Sequence, residues 1–219
     1  MAGEFRLSTA SARTAAYALG LPDAEIMFWP DFFPPEEGGA LFRALREGTG
    51  WRQETVRMFG RPVAQPRLIA WHGDAGKSYT YSGLTVHAEP WTPTLLAIKA
   101  RVEPACGAAF NSVLLNLYRD GRDSVSWHSD DEPELGENPV IGSVSLGAAR
   151  RFGLKHKEHA ELRHSLELTP GSLLVMRGPT QRHWRHQVPR TGRPSGPRIN
   201  LTFRLIVVRA NTGRPSAIE

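Results

Sequence analysis

From residue 111 onward, short apolar runs containing alternating polar positions are separated by glycine, proline and aspartate. Short runs rich in valine, leucine, isoleucine and aromatic residues are typical of β-strands. Eight such runs follow one another: NSVLLNLY, SVSWHS, PVIGSVSL, RRFGLKH, HSLELTP, SLLVM, HWRHQVP and RINLTFRLIVV. Because no long helix is predicted between them, the pattern favours an antiparallel double-sheet jelly roll with an open end for a ligand or metal.

Two helices are predicted ahead of this strand-rich region. The first covers about residues 35–47, where proline and glutamate begin a segment with Leu41 and Leu45 at helical spacing. The second covers about residues 93–104, where Thr92 supplies a capping hydroxyl ahead of a proline. Residues 51–90 read as short strands and loops, so the expected fold class is mainly β with flanking helices, or α+β.

Composition narrows the class of protein. The chain has 219 residues, of which 40% are hydrophobic and 22% charged. No apolar run approaches the length of a membrane span and no secretory signal is evident, so an intracellular protein without a membrane partner is expected. Cys106 is the single cysteine, which excludes an internal disulfide and a cysteine-built metal site but leaves a catalytic thiol open.

Charge is unevenly distributed along the chain. Residues 120–137 carry seven acids and one base, whereas residues 150–219 carry fourteen bases and four acids. A basic surface suggests a polyanion such as nucleic acid, and clustered acids suggest a cation or recognition site. Solvated surface charge is an equally good interpretation of composition alone.

The segment Trp127-His128-Ser129-Asp130 contains candidate metal ligands. Residues two apart in an extended segment point the same way, so His128 and Asp130 can meet one ion. A third histidine from a neighbouring strand would complete a two-histidine, one-carboxylate set, which leaves open positions on Fe(II) for O₂ and a chelating cosubstrate. The downstream candidates are His156, His159, His164, His183 and His186.

The last predicted strand has an unusual polar face. Even spacing places four polar side chains on one side of RINLTFR: Arg198, Asn200, Thr202 and Arg204. Two guanidinium groups facing one cavity are costly unless an anion lies between them, and a dicarboxylate fits because guanidinium grips carboxylate through two hydrogen bonds.

Two motifs carry a resemblance to a known family. The run FNSVLLNLYRDGRDSVSWHSDDEPELG and the later RINLTFR resemble the AlkB family of Fe(II)- and 2-oxoglutarate-dependent nucleic-acid demethylases, closest to the animal members that repair alkylated DNA and RNA. The resemblance covers about residues 55–208. It implies that His128, Asp130 and His186 bind Fe(II), while His183 does not. It also implies a 2-oxoglutarate site, with O₂ as the second cosubstrate, formed by Asn116, Tyr118, Arg198, Arg204 and, as a secondary candidate, Thr202.

The implied domain organisation has four parts. A mobile arm at 1–20 precedes helices and nucleotide-recognition loops at 21–109, which form an N-terminal substrate-recognition extension. The dioxygenase core is a double-stranded β-helix, or jelly roll, at 110–208, and a tail occupies 209–219.

The implied activity is oxidative demethylation of bases of the 1-methyladenine and 3-methylcytosine type, with release of formaldehyde, succinate and CO₂. The expected partner is alkylated DNA, with RNA as a further substrate, for a monomer located in the cytoplasm of a bacterium or the nucleus of a eukaryote. The expected substrate contacts are the hairpin residue Phe59, the loop aromatics Tyr79 and Tyr81, and the acids Asp131 and Glu132. Phosphate contacts are expected from a basic cluster, namely Arg150, Arg151, Lys155, His156 and Lys157.

Several alternatives remain open at this point. Core packing explains each tyrosine equally well, and plain surface charge explains the basic cluster. The same oxidant also serves enzymes that act on protein side chains, lipids or small molecules, because fold does not fix substrate. A non-enzymatic jelly-roll binding module, with an incidental His-Asp-His set, is the remaining alternative.

Overall fold

The computed structural model describes residues 15–58, 61–75, 78–81 and 84–207, and within this part the side chains of 56–58, 78–81 and 84–87 are not described. The strands are β1 (Tyr17–Ala18), β2 (Glu25–Trp29), β3 (Thr55–Met58), β4 (Arg61–Ala64), β5 (Leu68–Gly73), β6 (Ser78–Tyr81), β7 (Leu84–His87), β8 (Ser112–Tyr118), β9 (Val125–His128), β10 (Ile141–Gly147), β11 (Arg150–His156), β12 (Arg163–Leu168), β13 (Leu173–Arg177), β14 (Trp184–Val188) and β15 (Arg198–Arg204). The helices are α1 (Pro35–Gly48), α2 (Pro93–Cys106), α3 (Thr180–His183) and a 3₁₀ turn at Pro133–Leu135.

A seven-stranded sheet forms one wall of the fold, in the order β1-β2-β13-β10-β15-β8-β5. A four-stranded sheet in the order β12-β11-β14-β9 forms the other wall. The pairings within both sheets are antiparallel, as expected for a jelly roll. This confirms the predicted double-sheet architecture, and all eight predicted strands from residue 111 onward are present.

Two apolar clusters hold the layers together. One joins the outer face of the large sheet to α1 and α2 through residues such as Leu41, Ile98 and Leu201. The other lies between the two sheets and includes Tyr118, Phe152 and Trp184. Strand β15 contributes to both faces, since every residue in it is buried.

Both predicted helices are confirmed, with α1 and α2 each extending slightly beyond the predicted ends. Thr92 caps α2 because its hydroxyl accepts a hydrogen bond from the backbone N–H of Leu95. Gly107 ends α2 in the left-handed conformation, with φ +63°. The capping residues thus fix both ends of α2. The two helices cover the face of the large sheet that is turned away from the smaller one.

Three strands of the large sheet come from the N-terminal half of the chain. Strand β2 pairs with β13, and β5 pairs with β8 next to the C-terminal β15. The remaining N-terminal strands form two separate hairpins, β3 with β4 and β6 with β7. The segment that precedes residue 110 thus supplies part of the wall on which the site is built.

Candidate active site

Strands β9 and β14 bring two histidines together between the sheets. His128 and His186 are directly paired across these strands, with ring centroids 4.2 Å apart. Asp130 follows β9 by two residues, and its Oδ2 lies 4.0 Å from Nε2 of His186. One potential ligand atom from each of the three residues lies within 4.8 Å of the others, so the triad can meet a single ion.

The surroundings of both histidines favour metal binding. Nδ1 of His128 lies 2.8 Å from the carbonyl oxygen of Ser126, which can only accept, so Nδ1 is the donor and Nε2 is the nitrogen left to face a metal. Burial, together with the nearby His128, lowers the pKa of His186 to about 3. His186 is therefore neutral at physiological pH, as a metal ligand must be.

Asp130 is almost fully buried but stays ionised. Burial alone would raise the pKa of this carboxyl, but the positive charge and hydrogen bond of Arg204 oppose this effect and the pKa is lowered. Nη2 of Arg204 donates to Oδ1 of Asp130 at 2.7 Å, and the backbone N–H of Asp130 donates to Oε1 of Gln181 at 2.9 Å. Two imidazoles and one carboxylate held by Arg204 form the donor set that suits Fe(II).

The polar face predicted on β15 points into a cavity between the sheets. The cavity has a volume of about 50 Å³ and lies against the triad. Register places Arg198 opposite Tyr118 and Asn200 opposite Asn116 on β8. The cavity is lined by all the residues predicted to bind 2-oxoglutarate: Asn116, Tyr118, Arg198, Thr202 and Arg204.

Arg198 has donors that nothing in the described part of the chain satisfies. The side chain is 1% exposed, and its Nη2 donates to Oγ of Ser145 at 2.9 Å. Its guanidinium carbon lies 5.1 Å from the ring centroid of Tyr118, whereas Nε and Nη1 are buried without a hydrogen-bond partner. Buried cationic donors are rarely left unpaired, so this end of the cavity is fitted to receive a carboxylate such as that of 2-oxoglutarate.

The sequence analysis missed Arg67, which also lines the cavity. This residue is 6% exposed, and its Nε donates to Oδ1 of Asn116 at 2.7 Å. The bond orients the Asn116 amide, which leaves the amide N–H₂ as the group available to a ligand. No local sequence signal marks Arg67, because its burial depends on the long-range pairing of β5 with β8.

His183 does not belong to the triad, and it does not lie on the predicted strand HWRHQVP. It ends α3 instead, and lies in a separate group with Asp23 and His156. In this group Nδ1 of His156 accepts from the backbone N–H groups of Glu158 and His159. Its Nε2 therefore carries the proton and points to Asp23 at 3.5 Å, so His156 offers a donor there rather than a ligand lone pair.

A catalytic role for Cys106 is not supported. The thiol lies at the end of α2 in the apolar cluster beside the large sheet, and it is 2% exposed. Burial raises its pKa to about 12, so the nucleophilic thiolate is not formed at neutral pH.

The predicted substrate residues are only partly described. Asp131 is exposed and accepts a hydrogen bond from Nζ of Lys157 at 2.9 Å, while Oε2 of Glu132 is buried with no hydrogen-bond partner among the described residues. Tyr79 and Tyr81 lie in β6, whose side chains are not described, and Phe59 lies outside the described residues. Their roles stay predictions.

The expected phosphate-binding cluster is wrong for two of its members. Arg150 is buried, and its guanidinium donates to the carbonyl oxygens of Asp120, Asp123 and Pro189. His156 is also buried. Alternation along β11 explains this, since Arg150 and His156 point inward whereas Arg151 and Lys155 point outward.

Comparison with known proteins agrees with this site. A family model described as the 2OG-Fe(II) oxygenase superfamily matches residues 25–204, and the chain belongs to this superfamily. Members of this superfamily use Fe(II), 2-oxoglutarate and O₂. The donor set and the cavity described above fit these groups. Among the described helices, none is both long and apolar enough to cross a membrane.

The relatives place the chain more narrowly. It is 40% identical over 192 residues to the human alpha-ketoglutarate-dependent dioxygenase alkB homolog 3, in an alignment covering 84% of this chain and 66% of the relative. It is 41% identical to the mouse DNA oxidative demethylase ALKBH2, with 80% of this chain and 77% of the relative covered. The chain is thus homologous to named DNA oxidative demethylases, although it spans only about two thirds of the alkB homolog 3 proteins.

A solved structure supports the fold independently. The structure of OsALKBH1 superposes with a TM-score of 0.61 and 16% sequence identity. The match covers 82% of this chain and 96% of that one. At this level of identity the likeness shows the jelly-roll fold alone.

Proposed function

We propose that this protein demethylates N-alkylated bases of the 1-methyladenine and 3-methylcytosine type in DNA, using Fe(II), O₂ and 2-oxoglutarate. One observation carries the proposal: the His128-Asp130-His186 triad borders a cavity whose far end holds unsatisfied donors of Arg198. The homology to DNA oxidative demethylases supports nucleobases as the substrate.

The triad would hold the metal on one face and leave its other positions free for cosubstrates. When bound, Fe(II) with O₂ and 2-oxoglutarate supplies the oxidation that hydroxylates an N-methyl group, which leaves as formaldehyde, with succinate and CO₂ as coproducts. Arg204 holds the Asp130 carboxylate ionised and oriented, and the Ser126 carbonyl fixes the tautomer of His128.

The cavity residues would orient the cosubstrate. Arg198 would pair with the distal carboxylate of 2-oxoglutarate, because its free Nε and Nη1 present two donors in one plane. The ring of Tyr118 packs against this guanidinium, and Asn116 is held by Arg67. Phe152 stacks on His186 at a centroid distance of 5.3 Å and would help to exclude water from a bound metal.

Cationic bases suit the acidic residues that follow the metal aspartate. A methyl group on the Watson–Crick edge of adenine N1 or cytosine N3 gives the base a positive charge. Glu132 offers a buried carboxylate oxygen without a partner among the described residues, and Asp131 lies beside it in the chain. The negative charge of these carboxylates would favour a cationic base over an unmodified one, which carries no charge.

The proposal includes finer points that rest on the family resemblance. RNA is proposed as a second substrate, since single strands expose the same base edges without duplex opening. The working form is proposed to be a monomer, because one chain supplies the whole triad and cavity. An intracellular location is also proposed, in the cytoplasm of a bacterium or the nucleus of a eukaryote, because the proposed DNA substrate lies there.

A panel of oligonucleotides tests the function. Single- and double-stranded DNA and RNA, each with one 1-methyladenine or 3-methylcytosine, are incubated with protein, Fe(II) and 2-oxoglutarate. We expect loss of one methyl group by mass spectrometry, with succinate formed in proportion and neither product when 2-oxoglutarate is omitted. Succinate formation without demethylation of any oligonucleotide would point to a different substrate, and no succinate at all would support a binding module.

A further inference from the structure

The outer face of the smaller sheet carries three basic side chains in one row. Lys155 in the middle strand β11 is directly paired with Arg163 on β12 and with Arg185 on β14. We call these three residues the cationic row. A shallow cavity of about 190 Å³ lies against the row.

None of the three side chains forms an ion pair with a described residue, and Glu158 is the one acid that also lines this cavity. Arg163 donates its Nε to the carbonyl oxygen of Ala160, and Lys155 packs over the ring of Trp127 at 4.6 Å. Arg185 is exposed and has no hydrogen-bond or ion-pair partner among the described residues. Like charges directly opposite each other on neighbouring strands destabilise a sheet, so the row favours an anion lying across it.

The row is distinct from the catalytic cavity. Arg185 and His186 are consecutive on β14, so alternation puts the row and the triad on opposite faces of the same sheet. Strand β9 is the edge strand next to β14, and it ends at His128, just before Asp130 and Asp131. A polymer lying along the row can therefore pass around this edge towards the triad.

We propose that the cationic row binds backbone phosphates of the nucleic-acid strand whose modified base enters the cavity, an inference that rests on the proposed function. Adjacent strands are about 4.8 Å apart, so the row spans roughly 10 Å, enough to contact neighbouring phosphates of one strand. The half-buried Trp127 beside Lys155 adds an aromatic surface on which a base can stack. Such contacts position the strand without reading its sequence.

The test compares two double variants of equal charge change. Arg163→Gln/Arg185→Gln removes the outer members of the row and leaves Lys155 on Trp127. Arg43→Gln/Arg46→Gln, on the exposed side of α1, removes the same charge away from both the row and the cavity. Thermal unfolding of both variants checks that the fold is intact.

Binding of a methylated single strand is measured by fluorescence anisotropy at several salt concentrations. A strand of about 15 nucleotides is long enough to reach from the cavity to the row at roughly 3.4 Å per nucleotide or more. We expect the slope of log affinity against log salt to become less steep by about 1.4 for the row variant, or ~0.7 per lost phosphate contact. The α1 variant should keep the wild-type slope.

The readouts separate failure of this inference from failure of the proposed function. A methylated mononucleotide, which lacks the neighbouring phosphates of a strand, should be demethylated equally by all three proteins. A wild-type slope in the row variant would overturn the inference while demethylation stands, and wild-type protein that demethylates neither substrate would overturn the function itself. Loss of poly-glutamate binding without loss of oligonucleotide binding would assign the row to an acidic protein and also overturn the inference.

If the row variant unfolds, the single variant Arg185→Gln takes its place. It should lower the slope by about 0.7, and an unchanged slope would overturn the inference.

Discussion

The backbone N–H of Asp130 donates to the side-chain oxygen of Gln181, at 2.9 Å, and both residues are buried. This bond fixes the loop that follows β9 and with it the direction of the metal-binding carboxylate. Lys157 ties the same region together, since its Nζ donates to the carbonyl oxygen of Gln181 and to Asp131. Gln181 is therefore a positioning residue for the triad.

Replacing Gln181 should weaken metal binding without unfolding the protein. Gln181→Leu removes the acceptor and leaves the Asp130 N–H buried and unpaired, so we expect a loss of about tenfold in Mn²⁺ affinity, the lower end for groups that orient metal ligands. Gln181→Glu keeps an acceptor oxygen at this position and should stay closer to wild type. Electron paramagnetic resonance titration with Mn²⁺ reads the affinity directly, and equal affinities for wild type and Gln181→Leu would remove this role.

Each triad residue should be individually essential. His128→Ala, Asp130→Ala or His186→Ala should abolish both demethylation and tight metal binding, since three ligands on one face leave no spare protein donor. His183→Ala is the matched control, because His183 lies in the separate group with Asp23 and His156. Metal binding that survives His186→Ala and disappears in His183→Ala would show that the ligands had been assigned wrongly.

Arg198 should control the demand for 2-oxoglutarate. Arg198→Met removes the unsatisfied donors facing the cosubstrate, so we expect KM for 2-oxoglutarate to rise by roughly 30-fold, the factor that about 2 kcal/mol supplies. Arg198→Lys keeps the charge but not the planar guanidinium group, so its KM for 2-oxoglutarate should lie between those of wild type and Arg198→Met. The affinity for oligonucleotide should not change in either variant, and an unchanged KM would place Arg198 outside the cosubstrate site.

Sequence reasoning succeeded where the relevant information is local. The alternation in β15 placed Arg198 and Arg204 on one face. The spacing of two residues in an extended segment predicted that His128 and Asp130 lie together. Helix α2 was predicted because Thr92 and a following proline mark its start. In each of these cases the period of the backbone determines which side chains share a face.

Long-range pairing explains what the sequence could not predict. Strand β5 joins the large sheet only through its pairing with β8, about forty residues further along the chain, and no local pattern identifies that partner. Arg67, immediately before β5, was missed for the same reason. The basic cluster was misread because closely spaced charges were assigned one role, although alternation separates buried Arg150 from exposed Arg151.

Arg150 should prove structural rather than a phosphate contact. Arg150→Met would leave the carbonyl oxygens of Asp120, Asp123 and Pro189 without their donor, so we expect a loss of about 3 kcal/mol in the free energy of unfolding. Arg151→Met is the control on the opposite face of β11 and should change stability by less than about 0.5 kcal/mol. Urea unfolding measures both, and a stable Arg150→Met protein with weakened DNA binding would restore the original interpretation.

Phe59 should matter for duplex substrates alone. Strands β3 and β4 pair antiparallel, with Met58 opposite Arg61, and Phe59 follows Met58 in the chain. Flipping a base out of a duplex leaves a gap whose lost stacking costs a few kcal/mol, and an inserted aromatic ring recovers part of it, whereas a single strand has no such gap. Phe59→Ala should therefore lower demethylation of a double-stranded substrate by tenfold or more, the factor that about 1.4 kcal/mol supplies. The same sequence should be unaffected when it is single-stranded.

Val63→Ala, at an exposed position on β4, controls for general loosening of this hairpin. Both substrates are assayed at saturating Fe(II) and 2-oxoglutarate, and equal losses on the two would mean that Phe59 packs structurally or stacks on any base, so that duplex opening depends on another part of the protein.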